Sequence, residues 1–263
     1  METAQRGMRF IFGLIAGLVF VPSATNAMVG GAREAGATEG ARHAVLIVSS
    51  RGSSCTGAAI ARDLVLTAAH CVVAGADYKL VEFDTARRPI LKEVAQVMRH
   101  PQFSLRSLQA QRATADIALL KLAEPLPPRI APAALSSVAA PTQPGDRFLV
   151  AGYGVTERGD GKTGGALRAA ELTATGRPGS LQLRLMDPAS NNTGPGLGAC
   201  TGDSGAPVFT RTGSTLFVIG VVSWSTAPNN AAGCGGLTGV TPIARYRAWI
   251  VDAAGKMGSG LER

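Results

Sequence analysis

The chain has 263 residues, 46% hydrophobic and 17% charged, a balance that excludes general disorder and suits one large or two small folded domains. The formal net charge is +8, which favours anionic surroundings. No helix-turn-helix, zinc-finger spacing or basic–aromatic alternation accompanies that charge, so nucleic acid is not an expected partner.

At the N-terminus Arg6 and Arg9 lead into an apolar run from Phe10 to Val21, then Pro22, Ser23 and small residues ending at Ala27. This is the layout of a secretory signal peptide, expected over residues 1–27. A run of about a dozen residues is too short for a bilayer core, which needs roughly 20, so stable membrane insertion is not expected. The mature chain is expected to be secreted or periplasmic.

From Met28 to Arg42 the sequence is rich in Gly and Ala and reads as an extended entry segment. Short apolar runs follow at Ala44–Val48, Ala58–Ala61, Leu64–Ala68, Tyr78–Phe83, Ile117–Leu122, Phe148–Gly152, Leu181–Leu185, Pro207–Phe209 and Leu216–Trp224. Many short strands between Gly- and Pro-containing turns point to an all-β sandwich or barrels. The proline-rich stretch Pro125–Pro144 reads as a crossover, placing one half of the fold in residues 28–140 and the other in 141–263. A helical pattern occurs only near Ala244–Ala253. Polar, Gly-rich segments at Glu157–Gly165, Asp187–Gly198 and Thr226–Gly236 read as surface loops.

Cys55, Cys71, Cys200 and Cys234 are the only cysteines. In an exported chain four cysteines predict two disulfides, with three possible connectivities. With no C-x-x-C pair and three histidines, a metal is not expected, and the serine chemistry read below needs no cofactor.

Three segments carry chemistry. Ser204 lies in Cys200-Thr201-Gly202-Asp203-Ser204-Gly205-Ala206-Pro207, where the glycines permit a sharp turn that exposes the hydroxyl and aims the amides of Gly202 and Ser204 at one point. His70 ends the strand-like Leu66-Thr67-Ala68-Ala69-His70-Cys71, and Asp116 heads Asp116-Ile117-Ala118-Leu119-Leu120-Lys121-Leu122. A serine hydroxyl needs a base within hydrogen-bond reach, and an imidazole base needs a carboxylate to hold its tautomer.

These segments, in the order His, Asp, Ser, resemble the signature motifs of the trypsin/chymotrypsin-like serine proteases; subtilisins and α/β-hydrolases use other orders. The resemblance runs from Val29-Gly30-Gly31 to the helix carrying Trp249. It implies an all-β trypsin-like fold: two packed six-stranded antiparallel barrels and a short C-terminal helix. It also implies endopeptidase activity on proteins or peptides through an acyl-enzyme on Ser204, with His70 as base and Asp116 orienting it. Disulfides Cys55–Cys71 and Cys200–Cys234 are implied as well, while the loop Asp187–Gly198 lacks the further disulfide common in animal members. A monomer is the default state.

By position, Ser223-Trp224-Ser225 resembles the strand that pairs with substrate, with Ser223 helping to hold Asp116. Gly198 falls at the base of the primary specificity pocket, and Ser225 and Gly239 at its walls. With no acid at Gly198, the expected preference is for uncharged side chains, small to medium apolar ones or aromatic ones, over Arg or Lys. The resemblance also implies that a free N-terminus pairs with Asp203; Met28 directly follows Thr25-Asn26-Ala27, so signal removal is expected to create that terminus. Ala206 stands where the family usually has a second Gly. A non-catalytic binding protein on this fold would usually lack one of the three residues, and all three are present.

Overall fold

In the computed structural model, the residues described are 28–261 except 31, 35–39, 85, 87, 111, 138–141 and 177–180. The expected signal peptide therefore lies outside the described residues.

Aliphatic and β-branched runs pair with neighbouring runs across short turns, and each set of six strands curls until its two ends meet. After β1 (Arg33–Glu34), the first barrel uses β2 (Ala44–Ser49), β3 (Ser54–Ala61), β4 (Leu64–Thr67), β5 (Tyr78–Phe83), β6 (Pro89–Arg99) and β7 (Ala118–Leu122). Its ring order is β2-β3-β4-β7-β6-β5, closed by Leu46 opposite Val81. A short helix, α1 (Leu105–Gln109), lies between β6 and β7 and is capped by Ser104 Oγ, which accepts from Ser107 N. β8 (Ala134–Leu135) lies in the crossover. The second barrel uses β9 (Arg147–Gly152), β10 (Arg168–Ala174), β11 (Leu183–Met186), β12 (Pro207–Thr212), β13 (Thr215–Ser225) and β14 (Thr238–Pro242). It closes where β12 meets β9, with Val208 opposite Val150. Helix α2 (Arg247–Lys256) follows a 3-10 turn at Ala244–Tyr246.

Two short segments from the first half of the chain join the second barrel. β1 pairs with β10, and β8 pairs in parallel with β13. Side-chain alternation explains how the barrels share a core. Leu64, Leu66, Ile117 and Leu119 point into an inter-barrel cluster with Phe209, Val218 and Ile250, while Val65 and Leu120 fill the first barrel. Strands β4 and β7 are therefore buried on both faces, which is why they read as continuous apolar runs. Strand β6 is mostly exposed and mixed in sequence, and no apolar run announced it. β10 and β14 were equally absent from the runs read along the chain. Among the described residues no helix is long and apolar enough to cross a membrane.

Candidate active site

Strand β4 ends at Thr67, and the small, fully buried Ala68 and Ala69 let the chain turn tightly into a 3-10 segment that carries His70 to the edge of the cleft. Asp116, fully buried, lies just before β7. Its Oδ1 accepts from the His70 backbone N at 2.9 Å, and its Oδ2 accepts from His70 Nδ1 at 2.8 Å and from Ser223 Oγ at 2.5 Å. An ionised carboxylate only accepts, so Nδ1 carries the proton and Nε2 is left as a lone pair. His43 and His100 are engaged elsewhere: His43 Nδ1 sits 2.7 Å from Ala131 O, and the His100 ring lies against Trp249.

The turn at Ser204 depends on its glycines. Gly202 and Gly205 have φ of +96° and +79°, and a Cβ on Gly205 would lie 2.1 Å from Thr67 Oγ1. The amides of Asp203, Gly205 and Ala206 donate to Cys200 O, Val222 O and Asp203 O. Those of Gly202 and Ser204 find no acceptor among the described residues. The Ala206 methyl is fully buried in the second-barrel core with Val208 and Val222, away from the cleft. Ser204 and His70 line one cavity of about 610 Å³, although no hydrogen bond joins their side chains among the described residues.

Thr56, a residue that sequence reading passed over, stitches this turn to the first barrel. Its N donates to Ser204 O and its Oγ1 donates to Gly202 O, both at 2.8 Å; the same Oγ1 accepts from Tyr153 N at 3.0 Å. The only available signal was a hydroxyl inside a strand buried on both faces.

Both disulfides form, Cys55–Cys71 and Cys200–Cys234. Asp203 is fully buried, and its two oxygens accept from Gly154 N and Cys200 N at 2.9 Å each. Burial raises its carboxyl to about 6, against the lowering effect of those two amides and of Arg168. Met28, with φ of +44°, buries its side chain completely in the second-barrel core, and Val29 bridges to Gly198. No hydrogen bond joins Met28 to Asp203 among the described residues; in the uncleaved chain its nitrogen is a peptide nitrogen.

The trypsin family model matches residues 29–250. The chain belongs to the trypsin family of serine proteases. It is 29% identical over 242 residues to vitamin K-dependent protein C of Mus musculus and 30% identical over 242 residues to that of Rattus norvegicus. Each match covers 83% of this chain and 50% of the relative, so the chain spans about half the length of the curated relatives it matches.

β13 carries a bulge at Ser223, so that Val222 faces Val240 but Trp224 faces Gly239 and Ser225 faces Thr238. The residue opposite Ser225 is therefore Thr238. Gly239 lies against the Trp224 indole, since a Cβ there would lie 2.0 Å from Trp224 Cε2. Thr238 is fully buried, and its Oγ1 accepts from Ala199 N at 3.0 Å. Nothing in the sequence marked the bulge. Gly198 is not among the residues lining the cavity, and a Cβ on it would lie 3.1 Å from Gly235 Cα.

The loop Asp187–Gly198, without a disulfide of its own, is tied by hydrogen bonds. Asp187 Oδ2 accepts from Leu197 N, Gly196 N donates to Gly235 O, and Asn229 N donates to Asn192 O. The two loops flanking the Ser204 turn are thus fastened to each other and, through Val29, to the entry segment.

Proposed function

We propose that the protein is an exported serine endopeptidase in which Ser204 is the nucleophile, His70 the general base and Asp116 the positioning residue. The observation that carries this reading is the pairing of a buried Asp116, which occupies both N–H groups of His70, with two unengaged amides at the Ser204 turn. Ser204 Oγ attacks the peptide carbonyl carbon as its proton passes to His70 Nε2. The carbonyl oxygen takes up the negative charge facing the amides of Gly202 and Ser204. The C–N bond then breaks as Nε2 returns the proton to the leaving amine. Water, activated by the same imidazole, releases the acyl group from Ser204. The hydroxyl and imidazole are expected to close their hydrogen bond when substrate fills the cleft.

The side chain before the scissile bond is small and uncharged in this reading. Support comes from the lack of an acid at Gly198, the crowding of that position by Gly235, and the Ser225 side chain at the cavity wall. Export rests on the N-terminal signal layout and agrees with the two disulfides. Activation follows from cleavage after Ala27: the new Met28 ammonium would reach the buried Asp203 carboxylate and fix the turn.

Labelling the mature protein with a fluorophosphonate tests the nucleophile. Labelling is expected in the parent and absent in Ser204→Ala; an unlabelled, well-folded parent starting at Met28 would sink the assignment. A cleavage profile dominated by Arg or Lys would overturn the pocket reading, and an active enzyme starting elsewhere than Met28 would overturn the activation step.

A further inference from the structure

The cavity at Ser204 contains no carboxylate, and apart from His70 its one ionisable lining side chain is Arg158. Arg158 projects from the loop Glu157–Gly165, a segment the proposed chemistry does not use. That loop is rooted beside the reacting atoms. Val155 N donates to Thr201 O at 2.8 Å, Gly154 N donates to Asp203, and Gly154 Cα lies 2.9 Å from where a Gly202 Cβ would stand. From β13, Val222, Trp224 and Ser225 line the same cavity, as do Ser204 and Gly202. With a substrate strand paired to β13 as the protease reading requires, the residues after the scissile bond would leave toward Arg158, Ser53 and Ser54, all lining residues.

Arg158 has no ion-pair partner among the described residues. Of the acids beside it on the loop, Asp160 accepts from Lys162 N through Oδ1, and neither Glu157 nor Asp160 lines the cavity. A guanidinium presents a planar fork of donors suited to carboxylate, and here the surrounding lining is neutral and rich in hydroxyls. The formal net charge of +8 adds a long-range pull on acidic segments.

We propose that Arg158 selects substrates with a carboxylate within the first residues after the scissile bond, so that acidic segments following a small residue are the preferred substrate class. This rests on the protease reading above and extends it to the leaving-group side of the cleft. Because Arg158 is exposed, the effect is modest: about two- to fivefold in kcat/KM.

Internally quenched peptides that share one small residue before the cut, and carry Ala, Asp or Lys at the first or second position after it, test the proposal. The Asp-to-Ala ratio is expected to favour Asp through KM and to shrink as salt rises. It should fall to about one in Arg158→Ala, persist in part in Arg158→Lys, and tip toward Lys in Arg158→Glu. Short peptides ending two residues after the cut, with free or amidated ends, separate the source of the carboxylate. Preference for the free acid that tracks Arg158 assigns a chain terminus, whereas preference confined to internal Asp assigns a side chain. Equal Asp-to-Ala ratios in the parent and Arg158→Ala would overturn the proposal. Fluorophosphonate labelling of the same samples separates the two readings: labelled enzyme with equal ratios removes only the role of Arg158, and unlabelled enzyme removes the protease reading together with it.

Discussion

In the first barrel the site grows directly out of strand ends: His70 follows β4 within one short turn, Asp116 immediately precedes β7, and the two are hydrogen-bonded to each other through backbone and ring. In the second barrel Ser204 hangs in a long connection between β11 and β12, held by Thr56 from the other barrel, by Cys234 and by a buried Asp203. Its neighbouring loop also leans on Val29. The His70–Asp116 half rests mainly on its own barrel, with one brace from Ser223 Oγ of the second, whereas the Ser204 half depends on several outside supports. A two-barrel architecture can thus keep His70 and Asp116 in place while the surroundings of Ser204 depend on contacts from elsewhere in the chain.

The most severe break of this comparison is Asp116→Asn. It should lower kcat by about ten-thousand-fold, the effect of the same change in a triad of this type, while the thermal midpoint moves little. A collapse of the fold would mean that the Asp116 carboxylate also holds the barrels together through Ser223. Next come the disulfides. Replacing each pair by serine should cost about 3 kcal/mol for Cys55–Cys71, which closes 16 residues, and about 4 kcal/mol for Cys200–Cys234, which closes 34. Activity per folded molecule should survive the first change better, because Asp116 still holds His70. Equal losses in the two variants would erase the distinction between the halves.

The smallest effect is a pH dependence. Burial raises the Asp203 carboxyl from 3.8 to about 6, so the native uncleaved chain binds that proton more tightly than the unfolded chain does. Its stabilisation is complete below about pH 4 and is lost as pH rises through 6, on the order of 2–3 kcal/mol. Urea midpoints of the full chain carrying Ser204→Ala should show this slope, and adding Asp203→Asn should flatten it. A chain starting at Met28 should show a smaller or reversed slope. An identical slope in both lengths would remove the proposed ammonium partner.

The legibility of the fold followed burial. Strands buried on both faces, such as β4 and β7, announced themselves as unbroken apolar runs, whereas β6 hid because solvent covers most of it. Local motifs named His70, Asp116 and Ser204 because their chemistry demands small neighbours or glycine at fixed offsets. Thr56, Thr238 and Arg158 were not legible. Thr56 acts across a separation of 146 residues, Thr238 faces Ser225 only because of a bulge, and Arg158 reaches the cavity through the path of a loop.

The backbone of Met28 holds one more consequence. A left-handed φ on a residue with a side chain costs roughly 1–2 kcal/mol. That dihedral exists only while an upstream carbonyl carbon is attached. Hydrolysis before Met28 would abolish the angle and with it that cost, a bias of this size toward the cut chain. The strain would not return by rotation, because the dihedral needs the peptide bond that hydrolysis removes.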